Sequence, residues 1–346
     1  MSAETNIEKD ILTKKDFQTD QMIRWCPGCG DYVILSSMQK AFAQLGKPRH
    51  EIVCVSGIGC SSRLPYYMNT FGIHSIHGRA AATASGVKLS RPDLSVWVIT
   101  GDGDSMAIGG NHFIHAVRRN MDMNIIIFNN KIYGMTKGQT SPTTPMGQKT
   151  KTSPEGSFEN PFTIGELTIG AQGTFFARVP DNNPKLMEEA IVRAGKHKGT
   201  SVVEVLQNCV IFTDGIHEEI TGKDTKDDNQ LYLEHGKPMI WGKEKRYGLK
   251  LNGMSLDKVA LGDGEEGNGQ DHPDLLVHDA YNNQPELQIA LARMQLPDFP
   301  IAMGVLREVE APTFDDLLHS SIGRARDNTK HQKVSDLFQS GNTWKI

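Results

Sequence analysis

Four short runs of almost unbroken apolar residues constrain this chain more than anything else in it: 51–56 (EIVCVS), 94–100 (LSVWVIT), 123–128 (MNIIIF) and 201–206 (SVVEVL). None alternates apolar with polar, so none has a face to show to water. A strand of that kind has to be covered on both sides, which is the condition of a parallel sheet in an α/β fold. The segments between them read as the covers. Ile34, Met38, Ala41, Phe42 and Leu45 recur at helical spacing after Asp31, and Gly46 ends the pattern. Residues 79–89 are rich in alanine, residues 111–120 read as a helix, and 184–198 carry Leu186, Ala190, Ile191 and Ala194 on one face. With a further strand at 175–179, strand and helix alternate often enough to predict a doubly wound parallel sheet with right-handed crossovers.

That sheet accounts for residues 21–213, read as one α/β domain. Residues 1–20 are polar and aperiodic, an arm expected to order only when a partner holds it. Residues 214–346 are polar and irregular, with apolar islands at 287–294 and 301–306, and read as an extension that wraps the domain or a partner chain. Residues 130–163 repeat Gly, Thr, Pro and Ser without a period, and so long a loop inside a domain is usually functional. The 37 basic residues nearly balance 41 acidic ones, which gives no electrostatic case for nucleic acid or a membrane surface as partner. No apolar run approaches the length of a membrane span, and the first ten residues lack the basic-then-apolar pattern of a signal peptide. The expected location is cytoplasmic.

The chemistry concentrates where strands end. Gly101-Asp102-Gly103-Asp104 follows the second apolar run and Asn129-Asn130 follows the third. Both fall at the carboxyl edge of a parallel sheet, where open α/β folds bind ligands. Asp102, the amide oxygen of Asn130 and a backbone carbonyl near Ile132 would give a hard cation such as Mg²⁺ three oxygens, with a diphosphate and a water completing the set. Gly101 and Gly103 allow close backbone approach to phosphate. A GDG tripeptide alone means little: Gly262-Asp263-Gly264 follows no apolar strand and reads as an acidic loop. Five cysteines, an odd number, argue for metal or redox use rather than a disulfide framework. Cys26 and Cys29 form a CxxC turn, and Cys60 and Cys209 each follow a strand, so a parallel sheet would open all four toward the edge that carries Asp102. Four thiolates suit either Zn²⁺ or a 4Fe–4S cluster, and spacing does not choose. Cys54 lies inside a strand and reads as a small buried hydrophobe. His74, His112 and His115 read as packing or capping residues.

GDGD followed by NN at this distance resembles the thiamine diphosphate motif. The words around it, WCPGCG, SGIGCSSR, HGRA and NNKIYGMTKGQTSPTT, look like the β subunit of the 2-oxoacid:ferredoxin oxidoreductases. The resemblance implies thiamine diphosphate with Mg²⁺ on Asp102, Asn130 and the Ile132 carbonyl. Around the cofactor it implies Ile58, Gly59, Cys60, His77, Gly78, Gly101, Gly103, Asp104, Tyr133, Gly134, Met135 and Thr136. It also implies a 4Fe–4S cluster on Cys26, Cys29, Cys60 and Cys209. Arg63 and Lys137 fall where substrate-carboxylate contacts are expected. Two cations suit a dicarboxylate, which makes 2-oxoglutarate the expected substrate, with pyruvate and branched-chain 2-oxoacids as alternatives. No flavin or nicotinamide fingerprint is present, so electrons are expected to leave through iron and sulfur to a separate ferredoxin, with coenzyme A taking the acyl group. Thiamine enzymes need a glutamate at the aminopyrimidine. Glu51 is not positioned for it, and the resemblance implies that a partner α subunit supplies one in an (αβ)₂ assembly. The rival reading, a non-redox thiamine decarboxylase, shares Asp102 and Asn130 but has no use for four converging cysteines.

Overall fold

The apolar runs form the middle of an eight-stranded sheet. In the computed structural model, which describes residues 11–261, 272–329, 333–341 and 344, its strands are β1 Ile52–Ser56, β2 Phe71–His74, β3 Ser95–Gly101, β4 Asn124–Asn129, β5 Phe175–Pro180, β6 Ser201–Leu206 and β7 Gln230–Leu233. The short strands β8 Ile240–Trp241, β9 Tyr247–Asn252 and β10 Ser255–Ala260 make a separate antiparallel sheet, and β11 Ile301–Glu308 returns to the large one. Its order is β2-β1-β3-β4-β6-β5-β11-β7. The first six strands in that order run parallel. Gly101 stands opposite Phe128 and Asn129 opposite Leu206, so β3, β4 and β6 end in line at one edge.

Both faces are covered, as strands without a polar side require. Along β3, Val96 and Val98 point into one core while Trp97 and Ile99 point into the other. Helices α1 Asp31–Leu45 and, later in the chain, Pro184–Lys196 cover the second core. The first core lies under α2 Ala80–Ser90 and, beyond the short α3 Asp102–Met106, under α4 Gly110–Arg118 and α5 Ile164–Gly170. Helix Pro184–Lys196 is thus α6. It starts cleanly because Pro184 needs no amide partner and the Asn183 side chain accepts the Leu186 N–H at 3.2 Å.

Two expectations change. The segment after 214 does more than wrap. Past two single turns, α7 Glu218–Thr221 and α8 Lys226–Asn229, it supplies β7, and its apolar islands become α9 Glu286–Arg293 and β11, which pairs antiparallel with β5. The sheet is therefore parallel only across its first six strands. The arm is also partly held by the chain itself: Phe17, fully buried, packs edge-on against Phe42 at 5.8 Å, and its carbonyl accepts the Asn69 N–H at 2.9 Å. The Asn69 side-chain amide adds a bond to the Asp16 carbonyl at 3.0 Å, and Lys14 donates to the Ser36 hydroxyl at 2.8 Å. Residues 1–10 and the Gly262-Asp263-Gly264 loop lie outside the described residues. No helix among the described residues is long and apolar enough to cross a membrane.

Candidate active site

Strand ends and the first turn of α3 build the site. Where β1, β3 and β4 stop, the turns that follow enclose a cavity of about 580 Å³. Its walls include Ile58, Gly59, Cys60 and Ser61 after β1, His77, the Gly101–Asp104 turn, Phe128 and Asn130, and the stretch from Ile132 through Thr136 with Gln139. Of the cofactor positions expected from sequence, Gly78 alone is not in this lining. Its N–H instead donates to the Asp104 carboxylate at 2.7 Å.

Asp104 is the hub beneath the cavity. The same oxygen accepts from the Ile58 N–H at 3.1 Å and meets His77 Nδ1 at 2.7 Å, while the other accepts from the Thr100 hydroxyl at 2.7 Å. One buried carboxylate thereby ties three separate turns together. Gly57 approaches it so closely that an added Cβ would lie 1.9 Å from Oδ2. Gly103 is as tightly placed: a Cβ there would meet the Tyr133 ring at 2.2 Å, and the Tyr133 hydroxyl donates to the Gly103 carbonyl at 3.0 Å.

Asp102 is buried, and burial lifts its carboxyl to about pH 6, against the pull of two hydroxyls. Ser141 and Thr143 both donate to its Oδ2, at 2.5 and 2.6 Å, which leaves Oδ1 unclaimed by either. Among the described residues no cationic side chain forms an ion pair with it. A buried carboxylate without a cation, beside the Asn130 amide and the buried Ile132, is a donor set that fits a hard divalent ion and the diphosphate it would share. Ser141 and Thr143 were not foreseen as contacts of Asp102. Behind Asn129 a second cavity, about 370 Å³, holds Lys131, His217 and the buried pair Arg178–Glu204, whose closest atoms are 2.8 Å apart.

Four thiols gather beside the first cavity. Burial pushes the Cys29 thiol well above its usual range, with Asp31, Cys209 and Cys60 adding to the effect. Cys60 rises to about 12, again chiefly by burial, with Asp31, Cys209 and Cys26 contributing. Each sulfur thus lies within the electrostatic reach of others. An added Cβ on Gly134 would stand 3.6 Å from Cys209 Sγ and 3.8 Å from Cys60 Sγ, so a glycine leaves open the space between cavity and sulfurs. Backbone bonds fix the surrounding turns: Cys29 N–H to the Cys26 carbonyl at 3.1 Å, Gly30 N–H to the Asn208 carbonyl at 3.3 Å, and the Trp25 indole to the Cys60 carbonyl at 2.7 Å. The Thr213 hydroxyl joins the Cys209 turn to the Asn130 carbonyl at 3.0 Å. No three His, Cys, Asp or Glu side chains among the described residues are gathered tightly enough to hold a single metal ion. Cys54, in β1, is buried and receives the Thr70 hydroxyl at 3.6 Å.

Arg63 and Lys137 do not line the cavity. The 3₁₀ turn Ser61–Tyr67 turns the Arg63 guanidinium outward to the Arg24 carbonyl at 3.4 Å. Lys137 sits exposed on a left-handed turn with φ 77°. Their expected place at the substrate therefore corresponds to the outer side of the site, not its wall.

Residues 52–205, which carry this sheet edge and its cavity, match the family described as thiamine pyrophosphate enzyme, C-terminal TPP binding domain. Across 335 residues the chain is 42% identical to the 2-oxoglutarate oxidoreductase subunit KorB of Mycobacterium tuberculosis, covering 96% of this chain and 88% of that protein. It is 50% identical over 185 residues to the 2-oxoglutarate synthase subunit KorB of Archaeoglobus fulgidus, covering 54% of this chain and 69% of that one. A solved 2-oxoglutarate:ferredoxin oxidoreductase from Magnetococcus marinus, with 2-oxoglutarate, coenzyme A and succinyl-CoA bound, superposes with a TM-score of 0.76 at 29% identity, covering 99% of this chain and all of that one. The chain belongs to the KorB family, the β subunits of 2-oxoacid:ferredoxin oxidoreductases, and is one subunit of a multi-subunit enzyme.

Proposed function

We propose that this subunit, with an α partner in an (αβ)₂ assembly, converts 2-oxoglutarate and coenzyme A to succinyl-CoA and carbon dioxide, or the reverse. Cys26, Cys29, Cys60 and Cys209 would hold a 4Fe–4S cluster, which would supply one-electron transfer to a ferredoxin. One observation carries the reading: Cys60 lines the cofactor cavity and shares the Gly134 gap with Cys209, so the two centres adjoin. When bound, thiamine diphosphate supplies the electron sink that lets a 2-oxoacid lose carbon dioxide. This chain's residues do the holding. Asp102, Asn130 and the Ile132 carbonyl take Mg²⁺, with Ser141 and Thr143 fixing the Asp102 carboxylate. Asp104 sets His77 and the Ile58 turn against the cofactor. The glycines at 101, 103 and 134 keep the walls close without filling the cavity.

Arg63 and Lys137 act at the mouth, where they meet the carboxylates of an arriving dicarboxylate as the partner closes over the edge. Among the described residues no glutamate lines the cavity, which supports supply of the aminopyrimidine carboxylate by the α subunit. The cytoplasm is the fitting compartment, since thiols that must hold iron persist there in reduced form.

The test is an anaerobic assay of the co-expressed pair against a panel of 2-oxoacids with a viologen acceptor. Turnover should be clearly faster with 2-oxoglutarate than with pyruvate, and equal rates would undo the substrate assignment. Iron and sulfide should accompany the purified complex, whereas bound zinc without iron would favour a non-redox thiamine enzyme.

A further inference from the structure

We infer that Gln207 is a positioning residue for the electron-accepting centre: its side-chain amide N–H donates to the Cys29 sulfur and holds the reduction potential of that centre up. The inference rests on the cluster reading above and adds a residue to it. Gln207 follows β6 directly and is 1% exposed. Its Nε2 lies 3.4 Å from Cys29 Sγ and 2.5 Å from the Asn208 carbonyl, while its backbone N–H donates to the Asn129 carbonyl at 3.0 Å. Both side-chain neighbours are acceptors once Cys29 is a thiolate, so the nitrogen end of the amide, not the oxygen, must face them.

The other end shows that the amide is not there for general packing. Its Oε1 is buried with no hydrogen-bond partner among the described residues. A methionine or leucine would fill the same space without that desolvation cost, so the amide's task lies at its N–H end. Among the described residues no other side-chain nitrogen reaches any of the four sulfurs.

A cluster held by these cysteines would carry more negative charge on its sulfurs when reduced than when oxidised. A donor N–H aimed at one of those sulfurs stabilises the reduced form more than the oxidised one, and hydrogen bonds to cluster sulfurs are among the determinants of potential. Gln207 also ties the sulfur to the backbone beside Asn130, so one residue spans both centres.

The experiment uses the co-expressed complex, purified anaerobically, with iron analysis followed by a reductive titration monitored by electron paramagnetic resonance. Gln207→Leu and Gln207→Met both remove the donor. Each is expected to keep its iron and to disfavour reduction by about tenfold, a shift of about 59 mV to lower potential for one electron. An unchanged potential in an iron-replete variant overturns the inference. Loss of the cluster in both variants overturns it too, since it would assign Gln207 a structural part. A wild-type complex without iron would instead bring down the cluster reading itself, and iron analysis of the wild type separates that failure from the others.

Discussion

At Asp104 a single side chain answers to four donors, and its loss is expected to be felt far from position 104. Removing the carboxylate strands the Ile58 and Gly78 amides, the Thr100 hydroxyl and His77. Each buried donor left without an acceptor costs about 1–3 kcal/mol. Asp104→Ala should therefore destabilise the chain by roughly 3 kcal/mol or more and weaken thiamine diphosphate binding at least about tenfold. Urea melts and calorimetric titration of the cofactor measure the two effects, and an unaltered melt would show that the four contacts do not share the load. His217 offers a pH signature. Burial chiefly holds its imidazole down at about 4, where an ordinary histidine titrates near 6.5, and Nε2 lies 2.9 Å from the Asn129 carbonyl. Below the unfolded pKa the unfolded chain takes up a proton that the folded chain refuses. Stability from this residue is therefore complete above pH 6.5 and is lost as the pH falls to 4, by on the order of 3 kcal/mol. His217→Gln, which keeps a donor for Asn129, should flatten the stability curve across that window and leave it unchanged in slope above pH 7.

Among the elements, the strand-to-turn junctions were legible and the contacts across them were not. GDGD after one apolar run and NN after the next locate the cavity because a parallel strand's end fixes where its turn emerges, whatever happens later in the chain. The Cys60 and Cys209 turns follow from the same rule. The hydroxyls of Ser141 and Thr143 reach Asp102 across 39 and 41 positions, and no periodicity encodes a contact that distant. Strand β2 escapes notice because all four of its residues are exposed, leaving no apolar pattern to read. The orientation of Arg63 depends on a 3₁₀ turn, and that of Lys137 on a left-handed one, neither of which residue type alone declares. One junction can be tested sharply. Gly103 has no room for a methyl group against Tyr133, so Gly103→Ala should drive that ring into the cavity and break its bond to the Gly103 carbonyl. Cofactor affinity is expected to fall about tenfold or more (about 1.4 kcal/mol) with cluster content unchanged. The double variant Gly103→Ala with Tyr133→Phe should not recover it, because the clash is with ring carbons and not with the hydroxyl.

Across the whole molecule, the strand that returns late in the chain is wired to the candidate metal ligand. Arg178 donates to the Ala302 carbonyl of β11 at 3.5 Å and to the Ala292 carbonyl at 3.3 Å, and pairs with Glu204 at 2.8 Å. Glu204 accepts from the Asn129 amide at 2.7 Å, and the Thr143 hydroxyl shares its one proton between the Asp102 carboxylate at 2.6 Å and the Asn129 oxygen at 3.0 Å. The network has two separable duties. As a buried ion pair it is replaceable: removing one partner leaves an uncompensated charge at a cost of about 3–5 kcal/mol, whereas apolar replacement of both is often neutral. As a brace for Asn129 it is not replaceable, because no apolar side chain can accept the amide proton that fixes which end of Asn129 faces Thr143. Arg178→Met alone should destabilise by about that amount, and Arg178→Met with Glu204→Leu should regain part of it in a urea melt, less the cost of the Asn129 amide left without its acceptor. The double variant should nonetheless bind Mg²⁺ and thiamine diphosphate about tenfold to a hundredfold more weakly, as loss of an outer-shell partner does to a metal site. Full recovery of both stability and cofactor affinity would show that the path from β11 to Asp102 is only structural filling, and that the late strand closes the sheet without steering the site.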